Sequence, residues 1–283
     1  MWKSNHATLF GLESSWEQAH TVIFGAPYDC TTSFRPGARF APAAMRSESF
    51  GLESYSPYQD RDLFDYAICD AGDLELPFGG PEKALALIEE QAENLFAAGK
   101  RPLMLGGEHL VTLAPVRAAL RRYPDLCIVH FDAHTDLREE YLGQPLSHAT
   151  VMRRCHDLVG DGRIFQFGIR SGLREEFRWA QAHTHLQKHN FDGLEQVLAT
   201  IGDRPVYFTI DLDVLDPSVF PGTGTPEAGG VTFPALLAAV ENVCKLQVIG
   251  CDLVELSPNY DHSGMSTAVA CKILRELLLA LEK

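Results

Sequence analysis

Short runs of apolar, β-branched and aromatic residues alternate along the chain with longer stretches in which apolar positions recur every three or four residues. The runs are HTVIFGAP (20–27), DYAICDAG (65–72), RPLMLGG (101–107), LCIVHFDAH (126–134), RIFQFGIR (163–170), PVYFTIDLD (205–213) and LQVIGCDLVEL (246–256). Several are apolar throughout instead of alternating, which predicts strands covered on both faces, as in a parallel sheet. Helical spacing fills GPEKALALIEEQAENLFAAG (80–99), with Pro81 near its start and Gly99 past its end. It also fills VTLAPVRAALRRY (111–123), where Pro115 blurs the start, and MSTAVACKILRELLLALEK (265–283). In TFPALLAAVENVC (232–244), Thr232 predicts an N-cap and Pro234 sits in the first turn. Strand and helix in alternation predict one doubly wound α/β domain over residues 1–283, without linker, repeat or low-complexity segment.

In such a sheet, ligands gather beyond the carboxyl ends of the strands. The unusual polar residues fall at four of those ends. Glu108 and His109 follow LMLGG, Asp132, His134 and Asp136 follow CIVHF, Asp211 and Asp213 follow VYFTI, and Glu255 follows VIGCDLV. In an extended chain, alternate residues point the same way. If the extended conformation persists, Asp132, His134 and Asp136 share one side, and Asp211 shares another with Asp213. A lone strand-end Asp is often a helix N-cap, and a lone His is usually a hydrogen-bonded loop residue. Four aspartates and two histidines at one sheet edge are different, because clustered carboxylates repel unless a cation lies among them. Thiolates are absent from the set, so a structural zinc site is not expected. Mixed imidazole and carboxylate ligation suits Mn²⁺, Fe²⁺, Co²⁺ or Zn²⁺. Two such ions roughly 3.5–4 Å apart hold a bridging water and make hydroxide near neutral pH. The pattern therefore implies a binuclear metallohydrolase without specifying the bond cut.

The net charge of −14 argues against a nucleic-acid partner and favours a small cationic substrate. Seven scattered cysteines, with no CxxC pair, read as reduced core residues of a cytosolic protein. MWKSNHATLF lacks a signal-peptide apolar stretch, and no run is long enough to span a membrane. A cytoplasmic location is the expectation.

GGEH (106–109), DAHTD (132–136) and TIDLDVLDP (209–217) resemble the three metal motifs of the ureohydrolases, the family of arginase and agmatinase. The resemblance continues through SFRPGARFAPAAMR (33–46), SHATVMRR (147–154), FGIRSG (167–172), FPGTGTPEAGG (220–230) and VELSPNYD (254–261), in the family's order. It implies a three-layer α/β/α sandwich around a mainly parallel sheet of about eight strands and two Mn²⁺ ions. One ion is implied to bind His109, Asp132, Asp136 and Asp211, and the other Asp132, His134, Asp211 and Asp213. His148 matches the family's mobile histidine near the metals, and Glu255 the acid that pairs with the guanidinium. Glu108 has no role in the family pattern. By this resemblance a metal-bridging hydroxide attacks the guanidinium carbon, Asp136 passes a proton to the departing amine, and His148 shuttles protons to or from water.

Within the family the chain looks most like agmatinase, which turns agmatine into putrescine and urea in polyamine biosynthesis. LREEYLGQPLSH (137–148) lacks the Asn- and Ser-rich loop of arginase, and Leu173 stands near an arginase Asp. Glu139, Glu140, Glu175 and Glu176 are candidates for an acidic mouth that receives the agmatine ammonium. Arg138 or Arg174 would instead suit the carboxylate of guanidinobutyrate. The alternatives are guanidinobutyrase or arginase, a catalytically silent metal- or polyamine-binding relative, and a one-zinc amide deacetylase, for which the full second ligand set is superfluous. The resemblance also implies a homotrimer or homohexamer.

Overall fold

The computed structural model describes residues 8–282. In chain order its elements are β1 (Thr21–Ala26), α1 (Ala41–Ser49), β2 (Tyr55–Ser56), β3 (Arg61–Asp62), β4 (Ile68–Asp73), α2 (Pro81–Ala97) and β5 (Arg101–Gly106). Next come α3 (Leu113–Arg122), β6 (Cys127–Phe131), α4 (Val151–Val159), β7 (Ile164–Ile169), α5 (Arg174–His183) and β8 (His185–Lys188). The last are α6 (Leu194–Ile201), β9 (Pro205–Asp211), α7 (Phe233–Val243), β10 (Gln247–Val254) and α8 (Met265–Leu281).

Eight strands form one sheet in the order β4-β1-β5-β10-β9-β6-β7-β8, every neighbouring pair parallel, while β2 and β3 make a small antiparallel hairpin. Strands β1, β6 and β7 are buried at every position, as their unbroken apolar runs predict. One face packs on α1, α6, α7 and α8 through residues such as Met45, Val197, Leu236 and Leu274. The other packs on α2, α3, α4 and α5 through Ile88, Val116, Cys155 and Ala180. This is the expected three-layer α/β/α sandwich.

Thr232 accepts from Ala235 N at 3.4 Å and caps α7 as its sequence predicts. In the 111–123 stretch the α-helix begins only at Leu113, after a 3₁₀ turn over His109–Thr112. Pro115 thus falls in the first turn of α3, where its missing N–H costs nothing. Four helices that the apolar spacing does not single out, α1, α4, α5 and α6, are all of ten residues or fewer. Strand β8 reads HLQK, half-exposed at the sheet edge, so it carries no apolar run. Lys283, to which the sequence extends the last helix, and the first seven residues of MWKSNHATLF lie outside the described residues. All seven cysteines are free, and five are buried, but Cys30 is exposed and Cys69 only partly covered, which corrects their expected place in the core. Among the described residues no helix is long and apolar enough to cross a membrane.

Strands β5, β10, β9 and β6 are adjacent in the sheet. The four chain segments that carry the unusual polar residues therefore emerge side by side at one edge.

Candidate metal centre

His109 opens the 3₁₀ turn after β5, and the Gly106-Gly107 pair before it is a packing requirement. A Cβ on Gly107 would lie 1.8 Å from the carbonyl oxygen of Tyr28. His109 Nδ1 faces three carboxylates, 3.1 Å from Asp132, 3.4 Å from Asp136 and 3.2 Å from Asp211. His134 Nδ1 lies 3.0 Å from Asp213 and 3.5 Å from Asp132. The structure thus brings together all six side chains that the three motifs single out.

It does so by a different route from simple alternation. Strand β6 ends at Phe131, and the chain after it is not extended. Asp136 stands at φ 51°, in the left-handed region, and this turn swings its carboxylate back toward His109. Strand β9 likewise ends at Asp211, and Asp213 sits in a 3₁₀ turn over Leu212–Val214, where its N–H donates to Asp211 Oδ1 at 2.8 Å. The shared-face expectation is therefore corrected for both motifs. The left-handed region recurs at Glu255, at φ 66°.

A proton inventory shows what the cluster lacks. Thr209 donates its hydroxyl proton to Asp252 at 2.6 Å, so it accepts from His109 Nε2 at 2.9 Å. His109 Nδ1, buried and without a well-formed hydrogen bond, is aimed at three carboxylate groups. Burial opposes charge on the ring, but Asp132, Asp136 and Asp211 hold its pKa well above the usual histidine range, so a proton stands where a cation would bind. Among the described residues the four aspartates have ion-pair partners only in histidines. Burial, followed by the charges of Asp213 and Asp132, holds the Asp211 carboxyl well above its usual range. Burial and then the Asp132 charge push Asp136 up to about 7. Buried carboxylates with no lysine or arginine among them, balanced only by protons on His109 and His134 whose pKa values they hold, against burial, well above the usual range, fit one or more bound cations in place of those protons. His109, Asp132, Asp136 and Asp211 could surround one, and Asp132, His134, Asp211 and Asp213 a second.

Four supporting residues are given no role by the motif reading. His130 donates from Nε2 to Asp132 Oδ2 at 2.7 Å, because Gln166 Nε2 donates to its other ring nitrogen at 3.0 Å. It stands two residues before Asp132 on the same strand face, so the alternation that marked Asp132 extends to it. The Thr209–Asp252 pair lies within β9 and β10, and only the pairing of those strands reveals it. Arg170, in FGIRSG, donates to the backbone carbonyls of Gly168, Asp213, Val214, Leu215 and Glu227.

The site opens into a cleft of about 790 Å³, counted with its mouth, which reaches Ser33, Arg138, Tyr141, His148, Glu176 and Glu255. Glu255 accepts from His109 N at 2.8 Å, and burial followed by the Glu108 charge raises its pKa well above normal. His148 leads the 3₁₀ turn into α4 and faces the cleft as well, its Nε2 lying 3.2 Å from Ser33 Oγ. Burial lowers its pKa to about 4. Glu108 is fully buried and accepts from Thr31 N, Thr31 Oγ1 and Thr32 Oγ1 at 2.8, 2.5 and 3.0 Å. Thr31 Oγ1 in turn accepts from His148 N at 3.1 Å, so Glu108 anchors the loop that carries His148's contacts.

The acidic mouth is not as the sequence suggests. Glu139, Glu140 and Glu175 do not line the cleft, and Glu139 turns away to pair with Arg153 at 2.6 Å. Glu176 lines it but is occupied, accepting from Thr135 Oγ1, Leu137 N and Leu173 N at 2.6, 3.0 and 2.7 Å. Arg138 also lines the cleft, 4.4 Å over the Tyr141 ring, whereas Arg174 does not.

The sequence pattern of the arginase family matches residues 19–280. The agmatinase of Bacillus subtilis (strain 168) is 50% identical over 272 residues, covering 95% of this chain and 94% of that protein. The guanidinobutyrase of Pseudomonas aeruginosa is 34% identical over 273 residues, 92% and 86% of the two chains. A candidate agmatinase from Clostridium difficile has a solved structure that superposes with a TM-score of 0.91 at 50% identity, covering 94% of this chain and 98% of that one.

Proposed function

The chain belongs to the arginase family, and from that premise we propose that it is an agmatinase, hydrolysing agmatine to putrescine and urea with two manganese ions held by His109, Asp132, His134, Asp136, Asp211 and Asp213. The observation that carries the reading is the buried His109 Nδ1 among three carboxylates, in a chain half identical to an agmatinase along nearly its whole length. Asp132 and Asp211 would be shared between the ions. When bound, such a pair supplies a water acidic enough to become a nucleophile near neutral pH.

The protein's own groups do the rest. Glu255, oriented by His109 N–H, takes the guanidinium by charge-assisted hydrogen bonds and sets its central carbon toward the aspartates. Asp136 lies at the floor of the cleft and delivers a proton to the leaving nitrogen, since a neutral amine leaves more easily than its anion. His148 lies beside Ser33 between the aspartates and solvent, and it stays uncharged at neutral pH, so a proton that it takes up is passed on and not held. We further read the chain as one domain of a cytoplasmic homotrimer or homohexamer that acts on a small cationic guanidine, with no nucleic-acid or membrane partner.

A second reading, hydrolysis of a guanidino acid, has one specific observation behind it, the Arg138 guanidinium in the cleft. Urea release from agmatine, 4-guanidinobutyrate and arginine by manganese-loaded protein separates the two. Agmatine is expected to be the best substrate, and a preference for either carboxylate-bearing compound overturns the proposal.

A further inference from the structure

Helices α4 and α5 run back from the candidate centre, so their last turns lie at the opposite edge of the sheet. His156 stands in the last turn of α4, and His183 is the last residue of α5. Between α4 and β7 the sequence Gly160-Asp161-Gly162 makes a tight turn with both glycines at positive φ, 80° and 69°. The turn aims Asp161 at both helices, and its Oδ1 lies 2.8 Å from His156 Nε2 and 2.6 Å from His183 Nδ1.

We propose that His156, Asp161 and His183 form a separate site for one divalent transition ion of the zinc, nickel or copper kind. Their three donor atoms lie within 4.8 Å of one another, so an ion can replace the protons they now share with little backbone movement. Two imidazoles and one carboxylate favour these ions over manganese, which stands low in the affinity order. Three protein donors leave at least one position to water, the arrangement of an exchangeable site. Both helices present their C-terminal ends here, where the backbone carbonyls carry partial negative charge and favour a cation. Trp179 holds the two rings in place, stacked on His183 at 4.3 Å and edge-on to His156 at 4.6 Å. Arg153, over the Trp179 face at 4.2 Å, is paired with Glu139. The competing description is a helix-end latch of hydrogen bonds with no affinity for metal.

Trp179 makes the question optical. Nickel(II) is titrated into the manganese-loaded full-length protein, and tryptophan fluorescence is followed. Saturable quenching at one equivalent is expected, absent in Trp179→Phe. His156→Gln and Asp161→Asn, neither of which removes the ring stacked on Trp179, should weaken it by about tenfold or more, as losing a ligand costs at least as much as losing a ligand's support. His109→Ala should leave it unchanged. No quenching, quenching retained in Asp161→Asn and His156→Gln, quenching that survives Trp179→Phe, or quenching lost in His109→Ala would each overturn the proposal.

Discussion

The Arg170 guanidinium donates to the backbone carbonyl of Asp213 at 2.7 Å and spreads its other donors over the neighbouring carbonyls of Val214, Leu215 and Glu227. A 3₁₀ turn leaves carbonyls unsatisfied, and one planar fork of donors serves several of them at once. The turn is what carries Asp213 to His134. Arg170→Met keeps much of the stem's volume but removes every one of those donors. It is expected to cost about 3 kcal/mol of stability, as for other losses of charged hydrogen bonds to buried groups. Metal content should fall toward one ion per chain, because only the set around Asp213 is disturbed. Urea unfolding and elemental analysis measure the two effects, and an unchanged ion count would show that Asp213 does not depend on the clamp.

The tautomer of His109 rests on Thr209, whose own proton goes to Asp252. Thr209→Val preserves shape and removes the acceptor, so the ring is no longer fixed with Nδ1 as its lone pair. Losses of this kind cost ligand sites about 10–100-fold in metal affinity. The variant should show that loss at one of two binding steps, by calorimetry with manganese, and identical isotherms would mean that Asp252 and Thr209 serve only the core. His109→Ala, by comparison, removes the donor itself and should abolish one binding step while the fold persists.

What the sequence makes legible, and what it hides, follows from the range of the interactions. Short apolar-rich runs, several of them unbroken, identify seven of the eight sheet strands, and the polar residues at their ends identify all six converging donors, because both signals are local. The β8 strand is missed because HLQK is half-exposed. Glu139 points elsewhere than expected because Arg153 and Arg154 on α4 attract it, a partnership that no spacing within LREEY announces. Arg170 is visible as part of a motif, yet most of its partners are carbonyls more than forty residues further along the chain. Asp136 is visible as a candidate, but the positive φ that aims it is a property of the folded loop.

Cation binding should be a large term in stability, because the native state without it confines four buried or nearly buried aspartates. Binding to the native state alone adds RT ln(1 + [L]/Kd), about 2.7 kcal/mol at one hundred times Kd. For a chain of this size that corresponds to about 5 °C in Tm. Chelator treatment should therefore lower Tm by that order and manganese should restore it. A Tm indifferent to both would leave the aspartate cluster without its expected counter-ion.

Glu108 holds Thr31, and Thr31 holds the backbone of His148. Glu108→Gln replaces one acceptor oxygen by an amide that can only donate, and so frees part of the 31–33 loop. The expected result is a lower kcat for guanidine hydrolysis with the metal content intact. If Glu108 acts through His148, the same substitution in a His148→Ala background should have little further effect. Fully additive losses would separate the two residues.

His148 also provides a pH dependence with a definite sign. Burial lowers its pKa from 6.5 to about 4, with the hydrogen bond to Thr31 only partly opposing it. Above pH 6.5 the ring is neutral in both folded and unfolded chains and contributes no pH dependence. Between pH 6.5 and about 4 the unfolded chain binds a proton that the folded chain does not, so stability falls as pH falls through that window. The full shift would be worth about 3 kcal/mol, and partial exposure of the ring reduces this to about 2 kcal/mol at the acid end. Other groups titrate over the same range, so the informative quantity is the difference between the wild-type protein and His148→Gln. That difference should grow in favour of the variant from pH 7 to pH 5 in urea unfolding, with the His148 ring resonances of the wild type still those of a neutral imidazole at pH 5.5. Parallel stability curves, or a ring that titrates near 6.5, would place His148 in open solvent and remove its claim to a sheltered position beside Ser33.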